Sequence, residues 1–304
     1  MTTDHGAQAA ATSTGPAFIY GELTTRNLGF ITQDQQERLR AARVFVCGTG
    51  GMGGASVQAL IRMGIGHLTL ADLDVFEVSN LNRQLFANLS TVGRHKAQAT
   101  RDACLAINPQ AEIEVFDADW AEHADRLIGA ADVVVNGTDD LAASLILYRR
   151  ARALGKTVID AYAAPLPSIY VTRPGRPMPE ERLAYPTLAT APEALTPDQR
   201  AEAFLREAEY VMLHSSSRHH IDLALAGEVA AGKRSRMSFA PMVVTTGMLM
   251  AYEVAAIVTG QNSATTERGW FFNPMRGRVE HPRNPVSAAL LRPLVRRALQ
   301  RMTG

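Results

Sequence analysis

The sequence predicts an α/β fold built on a doubly wound, mainly parallel sheet. Three observations carry that reading. Short apolar runs alternate with segments of helical periodicity from Val44 to about Tyr162. A glycine-rich stretch, GTGGMGG, falls directly between the first such run and the first such helix. The second run, HLTLADLD, ends in the acids Asp72 and Asp74. With 304 residues, 46% of them apolar, the chain can bury a core without disulfide or metal staples. Its length suggests about two domains, although α/β folds of this size also form one body.

Residues 1–17 are small and polar and are expected to be a disordered tail. RNLGFITQDQQERLRAAR then places Leu and Ile at helix-compatible spacing, with Thr32 as the cap before QDQQ. VFVCG is a buried-strand run, ASVQALIRMG a helix and HLTLADLD a strand. Helix KAQATRDACLAIN stops at Pro109, and strand IEVFDAD and helix ADRLIGA follow. DVVVNG is a strand, LAASLILYRRARALG a helix closed by Gly155, and TVIDAYA a strand. Between 173 and 236 the alternation breaks into a Pro-rich stretch, read as an irregular excursion or lid with a helix from about Asp198 to His214. PMVVTTGMLMAYEVAAIVTG resumes as a long buried helix, and GWFFNPMRGRVE reads as closing strands, a C-terminal antiparallel extension of the sheet. Residues 282–304 form a basic helix or tail, leaving 18–281 as the main domain with 173–236 inserted.

Composition narrows the function. Lys and Arg number 31 against 30 Asp and Glu, so no global charge favours nucleic acid or an acidic membrane surface. Two cysteines, Cys47 and Cys104, cannot form a disulfide framework or a four-thiolate zinc site, which fits a reducing, cytoplasmic compartment. No basic and apolar leader opens the chain. The apolar stretch 241–260 holds Thr245, Thr246, Gly247 and Glu253, whereas a membrane span wants roughly 20 nearly uninterrupted apolar residues.

Gly48, Gly50 and Gly53 make G-x-G-x-x-G between strand and helix. Glycine permits positive φ in the turn and lets backbone amides approach a phosphate at the helix N-terminus. Asp72, 19 residues after Gly53, stands where an acid reaches ribose hydroxyls in a Rossmann-like unit. A dinucleotide oxidoreductase would use the same loop. DLDVFEVSNLNRQLF, however, adds Asp74, Asn80, Asn82, Arg83 and Gln84, and VGRHK adds Lys96. Such donors suit a triphosphate, with Arg83 and Lys96 converging on one anion; either seen alone reads by default as a solvated surface charge.

GTGGMGG, DLDVFEVSNLNRQ, VGRHKA and NGTDD, in this order, resemble the ThiF/MoeB/HesA family of E1-like adenylyltransferases, over 20–172 and again over the helix at 241–260. The resemblance implies binding of Mg²⁺-ATP and adenylation of a carboxylate, commonly the C-terminus of a ubiquitin-like protein. It puts Gly50 and Gly51 against the phosphates, Asp72 on the ribose, and Asn80, Arg83 and Lys96 on the phosphates. It gives Asp139 the Mg²⁺ position, and Arg26 a γ-phosphate in the neighbouring subunit of a homodimer.

The sequence departs from the family in places. It has no CxxC pair, so no zinc is expected, and no cysteine in the 173–236 crossover, so no enzyme thioester is expected. The family's aspartate–asparagine pair reads Asp139–Asp140. His214, His219 and His220 read as solvated groups or as a base near neutral pH. Arg173 and Arg176 read as guides for an acidic tail or as hydrated charges. The alternatives carried beside the adenylyltransferase are an NAD(P) oxidoreductase, a non-catalytic binding platform, and a tRNA-modifying enzyme using the Arg-rich C-terminal segment. The expected substrate is a peptide or ubiquitin-like protein; nucleic acid and membrane are not expected partners.

Overall fold

A computed structural model describes residues 17–230 and 232–303. The expected tail lies outside the described residues except for Ala17. Among the described residues eight strands form one sheet in the order β3-β2-β1-β4-β5-β6-β7-β8. They are β1 (Arg43–Cys47), β2 (His67–Ala71), β3 (Glu112–Phe116), β4 (Val133–Asn136), β5 (Val158–Asp160), β6 (Ser168–Thr172), β7 (Trp270–Asn273) and β8 (Arg278–Glu280). The first five are parallel, and β6, β7 and β8 continue the sheet antiparallel. The doubly wound sheet with an antiparallel extension is therefore as the sequence predicts. Strand β6 is the element the alternation does not announce: a crossover helix is absent and a tight AYAAPLP connection turns the chain back.

Helices α1 (Tyr20–Thr24) and α2 (Gln33–Ala41) precede the sheet. Thr32 caps α2 as expected, in a reciprocal box with Gln35. On one face of the sheet α3 (Gly51–Arg62) packs beneath α10 (Ala240–Thr259), with α4 (Lys96–Leu105) beside it. Gly247 permits the crossing, since a Cβ there would stand 2.4 Å from the Met52 carbonyl oxygen. Helix α10 has the length and apolarity of a membrane span, yet Val243, Met250, Ala251 and Val254 are buried in this protein core. On the other face lie α5 (Ala124–Ala130) and α6 (Leu141–Ala153), over Phe45, Val134 and Val158.

The 173–236 segment is more regular than its composition suggests. It carries α7 (Pro179–Arg182), α8 (Pro197–His214) and α9 (Leu223–Ala230). Pinned against α6, it forms a wall: Arg149 donates to both oxygens of buried Glu180 (2.9 and 2.8 Å), Arg152 pairs with Glu181, and Arg200 pairs with Asp140 (3.0 Å). The basic C-terminal segment is α11 (Pro285–Thr303), docked on α8 through Leu213, Ala288 and Val295 and through Arg292 and Arg296 on Glu209.

Candidate nucleotide-binding and adenylation site

The chain winds from β1 outward to β2 and β3, then returns to lay β4 on the other side of β1. A crevice opens beyond the carboxyl ends of two strands at such a switch point. Its floor is bare backbone. Gly48 has φ +87°, and a Cβ there would lie 2.5 Å from the Gly137 carbonyl carbon. A Cβ on Gly53 would sit 1.8 Å from the Gly48 oxygen, and one on Gly137 would sit 2.7 Å from the Gly53 Cα. Three glycines from two strand ends thus touch one another. Gly50 caps α3 without a side-chain bond, which leaves the first-turn amides free to take an anion.

Asp72 braces this loop. One carboxylate oxygen accepts from the Thr49 amide (2.7 Å) and hydroxyl (3.2 Å), the other from the Asp74 amide (3.0 Å). Burial raises its pKa, against the lowering effect of these amides and of Lys96. Lys96, buried to 7% exposure, pairs with Asp74 at 2.8 Å. Arg83 is held at a different point, donating to the Ser79 carbonyl (2.9 Å) and to the Asn82 side chain (2.8 Å). Lys96 and Arg83, expected to converge, therefore have separate partners in the ligand-free chain. Asn80 is buried and closes its own turn, its side-chain oxygen accepting from the Glu77 amide.

Asp139 ends the β4 loop, exposed, and its carboxylate makes no bond to the described residues. One open carboxylate would suit a hard cation such as Mg²⁺. Among the described residues no cluster of three or more His, Cys, Asp or Glu is assembled for a metal. Asp140 has other duties: it caps α6 through the Ala143 amide (2.8 Å) and pairs with Arg200.

Arg26 lies elsewhere. Its turn (Thr25–Asn27) is tied by Asn27 to the Met63 carbonyl (3.2 Å), and neighbouring Tyr20 to that of Gly64 (2.7 Å), beyond the C-terminus of α3. The glycine loop is at that helix's N-terminus, and twelve helical residues span about 18 Å. Within one chain the structure does not bring Arg26 to the phosphate loop.

The histidines serve the antiparallel edge. His214 is buried against Tyr210 and accepts the Arg283 amide on Nδ1 (3.1 Å). Burial, then the Arg268, Arg292, Arg283 and Arg182 charges, push its pKa down to about 4. His220 meets Asn273 of β7 (3.2 Å). Of the two arginines in doubt, Arg173 donates to the Thr265 carbonyl (2.6 Å). Gln84, one of the expected donors, lies beside Gly50 with its buried Oε1 unpartnered among the described residues, whereas Asp160 of β5 is a residue the sequence pattern does not single out. Asp160 takes Tyr148 (2.9 Å), Tyr170 (2.8 Å) and Asn136 (2.8 Å) on one oxygen. Burial raises it to about 7, although these bonds and the Ala161 amide pull it down.

These shifts oppose one another in stability. A carboxyl raised from 3.8 to about 7 holds a proton the unfolded chain has lost, so stability from Asp160 falls as pH rises across that window. Asp72 and Glu207, also raised, act in the same sense. His214, lowered from 6.5 to about 4, acts oppositely and stabilises with rising pH. His214→Asn, which keeps an acceptor for Arg283, is therefore expected to steepen the fall in urea midpoint between pH 4 and 6.5. An unchanged slope would contradict the burial assigned to this ring.

Comparison with known proteins agrees with the geometry. The ThiF family model matches residues 24–289. The E. coli molybdopterin-synthase adenylyltransferase is 43% identical over 111 residues, 36% of this chain and 44% of that protein. The Haemophilus influenzae tRNA threonylcarbamoyladenosine dehydratase is 39% identical over 121 residues, 38% of this chain and 46% of that protein. The matched stretch thus spans under half the length of these curated relatives. Among solved structures, PaaA superposes with a TM-score of 0.56 at 19% identity, covering 90% of this chain and 77% of that one. E. coli MccB, solved with ATP, gives 0.57 at 17% identity, covering 83% and 67%. Fold, glycine crevice and family match converge: the chain belongs to the ThiF family.

Proposed function

We propose that this chain is an ATP-dependent adenylyltransferase that activates a carboxylate, at a peptide or protein C-terminus, without an enzyme thioester. The observation that carries this is the side-chain-free crevice of Gly48, Gly53 and Gly137, bordered by an unpartnered carboxylate, Asp139. Backbone amides hold the triphosphate, Asp72 faces the ribose, Gln84 offers its side-chain amide N–H, and Arg83 and Lys96 exchange their present partners for phosphate oxygens. Mg²⁺, gripped by Asp139 and the phosphates, supplies charge neutralisation when bound. The substrate's carboxylate oxygen attacks the α-phosphorus, the bond to the bridging oxygen breaks, and pyrophosphate leaves with its charge met by the cations.

The burial of both cysteines supports the lack of a thioester. Cys47 and Cys104 are both buried, and burial drives both thiols upward, Cys104 to about 12, so neither is a thiolate nucleophile at neutral pH. Relatives such as the Thermus thermophilus sulfur carrier protein adenylyltransferase support a protein substrate. The position of Arg26 supports a homodimer in which it serves the partner's crevice.

The test is ATP–pyrophosphate exchange with a panel of ubiquitin-like proteins and short peptides. ATP is expected to bind and NADH not; the reverse would favour the oxidoreductase reading. Cys47→Ala and Cys104→Ala are expected to retain full exchange and full transfer of the activated acyl group, and a thiol-labile enzyme–substrate conjugate that disappears in either folded variant would reinstate an enzyme thioester.

A further inference from the structure

Beside the crevice, the structure buries a cation whose donors are unmet among the described residues. All three guanidinium nitrogens of Arg182, at the end of α7, are buried without a hydrogen-bond partner there, and Arg182 makes no ion pair with the described residues. Three aromatic faces surround it: Tyr210 at 4.9 Å, Tyr170 at 5.4 Å and Tyr162 at 5.5 Å from the ring centroids. Cation–π attraction offsets part of the desolvation, but five N–H donors left empty cost several kcal/mol (roughly) in a low dielectric. The backbone two residues on is also strained, for Ala184 holds φ +54° without being glycine. Unmet donors and strain in one short segment mark a place kept for a ligand.

The socket is joined to the crevice. Arg182 lies over Tyr170, whose hydroxyl meets Asp160, which meets Asn136, the residue before Gly137. Each link steps one strand along the sheet, from β6 to β5 to β4. Two strand spacings place the socket roughly 10 Å to the side of the strand that carries Asp139. That is about three residues of extended chain. The guanidinium nitrogens are covered in the ligand-free chain, so an occupant reaches them only as α8, which carries Tyr210, gives way.

We infer that Arg182 and its three tyrosines bind an acidic side chain of the substrate, within about three residues of the carboxyl that is activated. This rests on the adenylation reading for its purpose, but not for its binding. A planar carboxylate matches the guanidinium fork with two parallel bonds. A phosphate dianion is disfavoured by Asp160 and by Glu207, whose carboxylate is anchored on the Ala163 amide at 2.7 Å. The reacting carboxyl is a poor occupant, because a bidentate arginine would hold back its electron pairs.

The experiment measures binding to the full chain without ATP, using acetyl-Glu-Gly-Gly against acetyl-Gln-Gly-Gly. The glutamate peptide is expected to bind about 10- to 100-fold more tightly, the range of a charge-assisted hydrogen bond. In Arg182→Met that preference should vanish while ATP binding stays; Arg182→Lys should recover part of it. Should Arg182→Met fail to fold, the wild-type Arg182 Nε–H resonance, shifted by the glutamate peptide and not the glutamine one, decides instead. Equal affinities for the two peptides, a preference that survives in both variants, or a stronger response to inorganic phosphate would overturn the inference. Failure to bind ATP would sink the adenylation reading and leave the peptide comparison standing.

Discussion

Asp139→Ala is expected to abolish carboxylate-dependent ATP–pyrophosphate exchange, a loss of roughly 10³-fold or more. The side chain is exposed and makes no bond to the described residues, so its removal should not alter the urea midpoint. Stability and activity therefore separate cleanly at this position. Arg83→Ala should also abolish exchange, with a small stability cost, because its present partners are the Ser79 carbonyl and the Asn82 side-chain oxygen on an exposed loop. Substantial exchange by a folded Asp139→Ala protein would remove the metal-gripping role and with it the proposed chemistry. Asp140→Ala offers the contrast: loss of the α6 cap should cost about 1 kcal/mol and spare most of the activity.

Gly53→Ala is expected to be the most damaging single methyl group in the molecule. Its Cβ would sit 1.8 Å from the Gly48 oxygen and 3.3 Å from the Gly137 Cα, and the nearest of these atoms are backbone that no rotamer change can move. Either β1 and β4 part or α3 shifts off the sheet; both disturb Val46, Val135 and the core around them. A cost of about 3 kcal/mol or more is expected, together with loss of ATP binding. Urea unfolding and nucleotide titration measure the two effects. Gly50→Ala supplies the control, since its Cβ would meet only the Gln84 side chain at 3.5 Å. A Gly53→Ala protein as stable as wild type would mean that the glycine contact is not a fixed part of the fold.

Much of the fold is legible in the sequence because it rests on local rules. Thr32 announces the start of α2, Gly155 and Gly260 the ends of α6 and α10, and apolar runs the parallel strands. The crevice is legible for the same reason, as Gly48, Gly50 and Gly53 act through their own φ and missing Cβ. Other features depend on partners far apart in the chain. Strand β6 is defined by pairing with Asp160 and Phe271 on either side, not by a pattern of its own. The Lys96–Asp74 pair bridges 22 residues, so Lys96 could be read as a phosphate ligand without any sign that it is already engaged. Arg182 gathers rings from positions 162, 170 and 210, and Pro-rich surroundings conceal that convergence entirely. Arg26 is recognisable by motif, but only the anchoring of its turn shows that it stands at the wrong end of its own sheet.

The bond between Asp140 and Arg200 joins two regions with different tasks. One end belongs to the strand terminus that presents Asp139, the other to α8, the helix that supplies Tyr210 and Glu207 to the wall of the Arg182 socket. On the proposed reading a displacement of α8 would be felt at Asp140, beside Asp139. An exposed pair of this kind is nevertheless worth at most about 1 kcal/mol, so the loop keeps its place when the pair is lost, as the small effect expected of Asp140→Ala requires.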